Sequence, residues 1–160
     1  MRYNLIILIG IALLPFALYS CKTNDLVLSE GDYLVFGEFH GECMGEGCIE
    51  IFRVENGKIF EDTKDIYPNS KAFYVADYVQ LGNEKYELIK DLITYFPSDL
   101  LNEKSTVIGE PDAGDWGGFY IEYNFNGVHK MWLLDKMKTN VPAKYHEFID
   151  QLDAKINSLQ

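Results

Sequence analysis

Apolar and polar positions along this chain follow two periods, and the changes between them mark the elements. Residues 32–40 alternate imperfectly and predict a strand, with Leu34, Phe36, Glu38 and His40 on one face. Residues 48–54 and 58–62 predict two more strands. In the first of them Ile49, Ile51 and Arg53 oppose Glu50, Phe52 and Val54. Asn56-Gly57 lies between the two, and a two-residue turn with positive φ at both positions suits that pair. Residues 72–80, rich in aromatic and β-branched side chains, predict another strand, and 105–108 a brief one. Between 84 and 96, Tyr86, Ile89, Ile93 and Phe96 recur at helical spacing. Leu88 and Leu92 widen the stripe, Asn83 supplies an N-cap, and Pro97 is the stop. Phe119, Ile121, Tyr123 and Phe125 alternate with Tyr120, Glu122 and Asn124. Asn126-Gly127 then turns the chain into 128–134, where Val128, Lys130, Trp132 and Leu134 share a face. Pro142 suits the first position of a terminal helix. Its apolar face is Tyr145, Phe148, Ile149, Leu152, Ile156 and Leu159.

This order predicts the α+β class: an antiparallel β-sheet built around two Asn-Gly hairpins, with two helices packed on one face. One domain spans residues 32–160. Ile49-Glu50 before one hairpin echoes Ile121-Glu122 before the other, which suggests a degenerate internal repeat. A true repeat requires the same strand order in both halves.

The start of the chain has a different pattern. Arg2 precedes an apolar run from Leu5 to Leu18, interrupted by Pro15. That run is short for a bilayer-spanning helix, which needs about 20 apolar residues. A charged start, a short apolar core and a small residue before the cleavage point describe an export signal over residues 1–20. Leu18-Tyr19-Ser20-Cys21 resembles the bacterial lipoprotein signal, in which a cysteine follows a small residue and a leucine stands three places before it. The resemblance implies that Cys21 is acylated and becomes the first mature residue, anchored to the lipid bilayer. Lys22, where aspartate favours inner-membrane retention in that family, implies the outer membrane. Residues 21–31 then form a tether. The cysteine-glycine stretch before a hairpin and the closing helix after a proline are also similar to small envelope lipoproteins.

Composition narrows the function. The chain carries 25 acidic and 14 basic residues, a net charge of −11, and every acidic residue follows the signal. Such a balance repels phosphate backbones, so nucleic acid is excluded as a partner. Of the three cysteines, one serves as the anchor, and Cys43 and Cys48 form a disulfide in an oxidising compartment. The chain has no Gly-x-Ser-x-Gly elbow, Walker-type loop or His-Glu-x-x-His helix. Nothing calls for a cofactor.

Three constellations remain as candidate chemistry. Glu38, His40 and Glu42 stand two apart, so a strand running that far would align them as weak metal ligands. Glu38 and His40 alone could form an acid/base pair of a hydrolase. Asp112 and Asp115, with Glu110, crowd hard oxygen ligands into a glycine-bearing loop at 110–118, which suits Ca²⁺ or an Asp-rich turn that bonds its own backbone. Trp116 in that loop either stacks on a glycan or folds back to cap the core. The leading expectation is a lipid-anchored, non-enzymatic binding or accessory protein of the envelope with a protein partner. The alternatives are a small-ligand binder at Asp112, Asp115 and Trp116, and a hydrolase at Glu38 and His40.

Overall fold

Tyr33–Phe39 (β1) is apolar on both faces because it lies in the middle of the sheet. Leu34 and Phe36 enter one core cluster, and Val35 and Phe39 the other. The computed structural model describes residues 29–160. The signal segment, Cys21 and most of the tether lie outside the described residues.

Six further strands complete the sheet: β2 (Ile49–Glu55), β3 (Lys58–Asp62), β4 (Tyr78–Gln80), β5 (Val107–Ile108), β6 (Gly118–Phe125) and β7 (Val128–Asp135). Their order is β4-β3-β2-β1-β6-β7-β5. All neighbours are antiparallel except β5 and β7. With α1 (Asn83–Ile89) and α2 (His146–Leu159), the class is α+β. The strand before the first hairpin pairs antiparallel with β2, whereas β5 pairs parallel with β7, on the far side of the second hairpin. The halves therefore differ in strand order, and the internal repeat is excluded.

Asn56 and Gly57 have φ of 50° and 71°, and Asn126 and Gly127 have 51° and 78°. Both pairs occupy the left-handed region that a tight two-residue connection needs. Asp32 holds the second turn by accepting the Asn126 amide at 2.9 Å.

The larger cluster unites Leu34, Phe36, Phe52, Phe119, Ile121 and Trp132 with Ile89 of α1 and Phe148, Ile149, Leu152 and Ile156 of α2. All six residues of the expected terminal-helix face are buried. The opposite sheet face carries Val35, Ile51, Tyr120 and Met131, with Tyr74 and Tyr78 packed against it.

Four local expectations change. Residues 72–80 form a strand only at Tyr78–Gln80. The preceding residues lie across the second sheet face, where the Tyr74 amide donates to Tyr120 Oη at 3.0 Å and the Tyr74 hydroxyl to Asp62 at 2.7 Å. Tyr74 of this irregular segment packs on that face's apolar cluster. The helix expected over 84–96 ends at Ile89 and resumes as a 3-10 segment, Leu92–Tyr95. Lys155 Nζ takes the Leu88 carbonyl at 2.8 Å, and the Thr94 hydroxyl takes the Asp91 carbonyl at 2.7 Å. Lys155 thus satisfies a carbonyl at the end of α1, and the Asp91 carbonyl also accepts the Thr94 amide at 3.0 Å. Gly82, not Asn83, is its N-cap, and the cap has no side-chain bond. Pro142 likewise leads into a 3-10 segment, Ala143–Tyr145, before α2 begins.

Cys43 and Cys48 are bonded, with their Cα atoms 5.6 Å apart. The Cys48 carbonyl accepts the His40 amide at 2.9 Å, so the bridge closes the β1–β2 connection next to the end of β1. Closing a loop this short stabilises by about 2 kcal/mol on chain-entropy grounds. A Cys43→Ala/Cys48→Ala variant should lose about that much in urea unfolding. An unchanged midpoint and slope would show that the bridge constrains nothing.

Candidate functional site

Glu38 falls on the same side of β1 as Leu34 and Phe36 and is buried. Lys136 Nζ lies 2.5 Å from its Oε2, and Gln160 Nε2 donates to its Oε1 at 3.1 Å. His40 Nε2 stands 3.7 Å from the same Oε2. The ammonium neutralises the carboxylate that would otherwise orient the imidazole, so this is an ion pair with a histidine beside it. The His40 ring packs on Gly117, where a Cβ would collide with the imidazole; Gly117 has φ of 79°. Glu42 does not join them. β1 ends at Phe39, the alternation stops there, and Glu42 is exposed. Among the described residues no group of three or more His, Cys, Asp or Glu could hold a metal ion.

The 110–118 loop is closed by its own side chains. Asp112 Oδ2 accepts the Gly41 amide at 2.7 Å and the Tyr67 hydroxyl at 2.9 Å, and Oδ1 accepts the Gly117 amide at 3.0 Å. Burial, then the Asp112 hydrogen bond and charge, push the Tyr67 hydroxyl up to about 12. Asp112 thus ties three segments together with the oxygens that a Ca²⁺ ion would need. Asp115, at φ 63°, is exposed. Trp116 is half-buried, lies over Gly114, and donates its indole N–H to Asp135 Oδ1 at 2.7 Å. It folds back instead of presenting that edge to a ligand.

Asp135, which the sequence reading passed over, is the centre of this arrangement. It is fully buried at the end of β7. Besides Trp116, it accepts the Glu110 amide at 2.9 Å, the Met137 amide at 2.7 Å and Asn140 Nδ2 at 2.7 Å. Burial pushes its carboxyl up, but the four hydrogen bonds outweigh burial and hold it below the usual aspartate value. An isolated buried carboxylate costs several kcal/mol, whereas bonds to a charged acceptor contribute about 1.5–3 kcal/mol each.

A second cluster, also not anticipated, covers the opposite sheet face. Glu122 is buried. Its Oε1 accepts the Tyr33 hydroxyl at 2.9 Å and lies 2.8 Å from His129 Nε2, while Oε2 accepts the Tyr120 hydroxyl at 2.6 Å. Burial first, then the Glu122 charge, raise Tyr33 to about 12. Burial and the Glu122 hydrogen bond raise Tyr120 further. Phe73 stacks on His129 with ring centroids 3.5 Å apart, and the Arg53 guanidinium lies 3.9 Å over the Tyr33 ring. Strand alternation had set Glu122 opposite the apolar face. The available signal was its setting between Tyr120 and Tyr123, which carry large apolar area to either side. Beside His129 a cavity of about 380 Å³ opens between residues 70–73, 103–106 and 129–132. Its walls come from three distant segments.

Comparison of the chain with protein-family models finds no match, and comparison with curated proteins finds none either.

The Asp135 carboxyl gives a pH dependence with a definite sign. A carboxyl lower in the folded than in the unfolded chain stabilises above its unfolded pKa of about 3.9, and that contribution is lost as pH falls through the folded value. Asp135→Asn should therefore cost about 2–4 kcal/mol at neutral pH and progressively less below about pH 4. Urea midpoints of both proteins across that range check this. A gap that stays constant or widens on acidification would contradict it.

Proposed function

We propose that this chain is a lipid-anchored envelope domain that binds another macromolecule or serves as an accessory subunit, without catalysis of its own. The supporting observation is the fate of its ionisable groups. Glu38 is bonded by Lys136, Asp112 by Gly41, Tyr67 and Gly117, and Asp135 by four donors. Glu38, Asp112 and Trp116, which a hydrolase or a Ca²⁺ or glycan site would use, are held by internal bonds, while Asp115 stays exposed. Apolar side chains are exposed as well: Ile66, Tyr67, Phe73, Val75 and Val79 face solvent along one stretch of chain. Exposed apolar surface of this kind suits partner binding.

The Cys43–Cys48 bond fits an oxidising compartment. The Leu18-to-Cys21 signal supports an acylated Cys21, and Lys22 supports the outer membrane. Among the described residues no helix is long and apolar enough to cross a membrane. In this reading the sheet is organised by its two Asn-Gly turns, both helices close one face, and the exposed apolar side chains between residues 66 and 79 are left for binding.

Crosslinking in intact envelopes, with the recovered protein weighed intact, tests the proposal. It predicts a chain trimmed to Cys21, an acyl mass increment, and one reproducible protein partner. Recovery without any partner, or a mass that retains residues 1–20, would reject it.

A further inference from the structure

The outer edge of β7 is covered only in part. β5 pairs with it at Leu133 and Leu134 and stops. Leu133 N donates to the Thr106 carbonyl at 2.8 Å, so Leu133 aims its backbone groups outward along this edge. Alternation in an antiparallel hairpin places those of His129 and Met131 on the same side. Upstream of Thr106 the chain leaves β7, and among the described residues no strand takes its place.

The gap is the cavity of about 380 Å³ beside His129. Residues 70–73 form one wall and 103–106 the other, joined where the Thr106 hydroxyl donates to the Ser70 carbonyl at 3.0 Å. Its lining includes Phe73, Met131 and Trp132.

The charge here is opposite to that of the whole molecule. In a chain of net charge −11, Lys71 and Lys104 stand exposed on the two walls, with no ion pair to either among the described residues. The one acidic residue of the lining, Glu103, is bonded to Tyr145 Oη at 2.5 Å and lies 3.1 Å from Lys144 Nζ. An edge lysine commonly guards a free strand. Lys130 does not, because its Nζ is turned onto the Leu101 carbonyl at 2.5 Å.

We propose that this slot accepts an extended acidic segment of a partner protein as an added strand along residues 129–131 of β7. The inference rests on the reading of the chain as a macromolecule-binding domain and supplies its docking mode. Backbone bonds to His129 and Met131 provide affinity, and carboxylates between Lys71 and Lys104 provide selection.

Fluorescence anisotropy with a labelled alternating Val-Glu heptapeptide tests this. Three comparisons accompany it: the Val-Lys counterpart, a Val-Glu peptide N-methylated at alternate residues, and a Lys71→Glu/Lys104→Glu variant. The Val-Glu peptide should bind and slow exchange of the His129 and Met131 amides. The Val-Lys peptide, the N-methylated peptide and the charge-reversed variant should each bind at least about tenfold more weakly. Both lysines are exposed, so the variant keeps its fold. No Val-Glu binding at millimolar peptide, or binding indifferent to N-methylation or to charge reversal, would overturn the proposal. A crosslinked envelope partner still captured by the charge-reversed variant would sink the slot and leave the binding-domain reading standing. Recovery of no partner at all would sink both.

Discussion

The carboxylate of Asp135 accepts hydrogen bonds from the Glu110 amide, the Trp116 indole, the Met137 amide and the Asn140 side chain. Those donors belong to the two connections that flank the β6–β7 hairpin. One buried anion therefore fixes the loop entering β6 and the segment leaving β7 together. With that loop held, Asp112 can reach Gly41 and Tyr67, and Gly117 can pack on His40. The end of the sheet that carries the cysteine bridge, the 110–118 loop and the Glu38–Lys136 pair is one connected structure around this group.

The other buried acids work in the same way. Asp32 accepts the Ser29 and Asn126 amides. Asp62 accepts the Asp65 and Asp77 amides and the Tyr74 hydroxyl, and so pins the segment that covers the second sheet face. Glu122 gathers Tyr33, Tyr120 and His129 beneath that segment. An unpaired buried carboxylate would be strongly destabilising, and these are tolerated because amide, hydroxyl, indole, imidazole or ammonium groups from other segments meet them. Part of the acidic composition is therefore internal scaffolding and not a solvated surface.

This also explains what the sequence made legible. Strand and turn positions rest on neighbours a few residues apart, so β2, β3, β6 and β7 follow from alternation around Asn56-Gly57 and Asn126-Gly127. The terminal-helix face follows from spacing as well. The Leu88 carbonyl at the end of α1 is met by Lys155, 67 residues beyond it, and no local period contains that contact. The same holds for the site. Asp112 and Trp116 stand out in sequence as a possible ligand set, but their partners are Tyr67, 45 residues away, and Asp135, 19 residues away. Asp135 itself looks like an ordinary polar residue at a strand exit. Met137 and Asn140 lie two and five residues beyond it, but Glu110 and Trp116 reach it only in the folded topology.

The buried acids thus act as internal scaffolding that ties separate segments of the domain together. That account stands on Asp135 being an ionised, fully satisfied anion in the folded state. A carbon-13 NMR titration of its side-chain carboxyl, from neutral pH down to the onset of acid unfolding, measures this directly. The account predicts a midpoint below that of an ordinary aspartate, or no titration before the fold is lost. A midpoint at or above the ordinary aspartate value would contradict it.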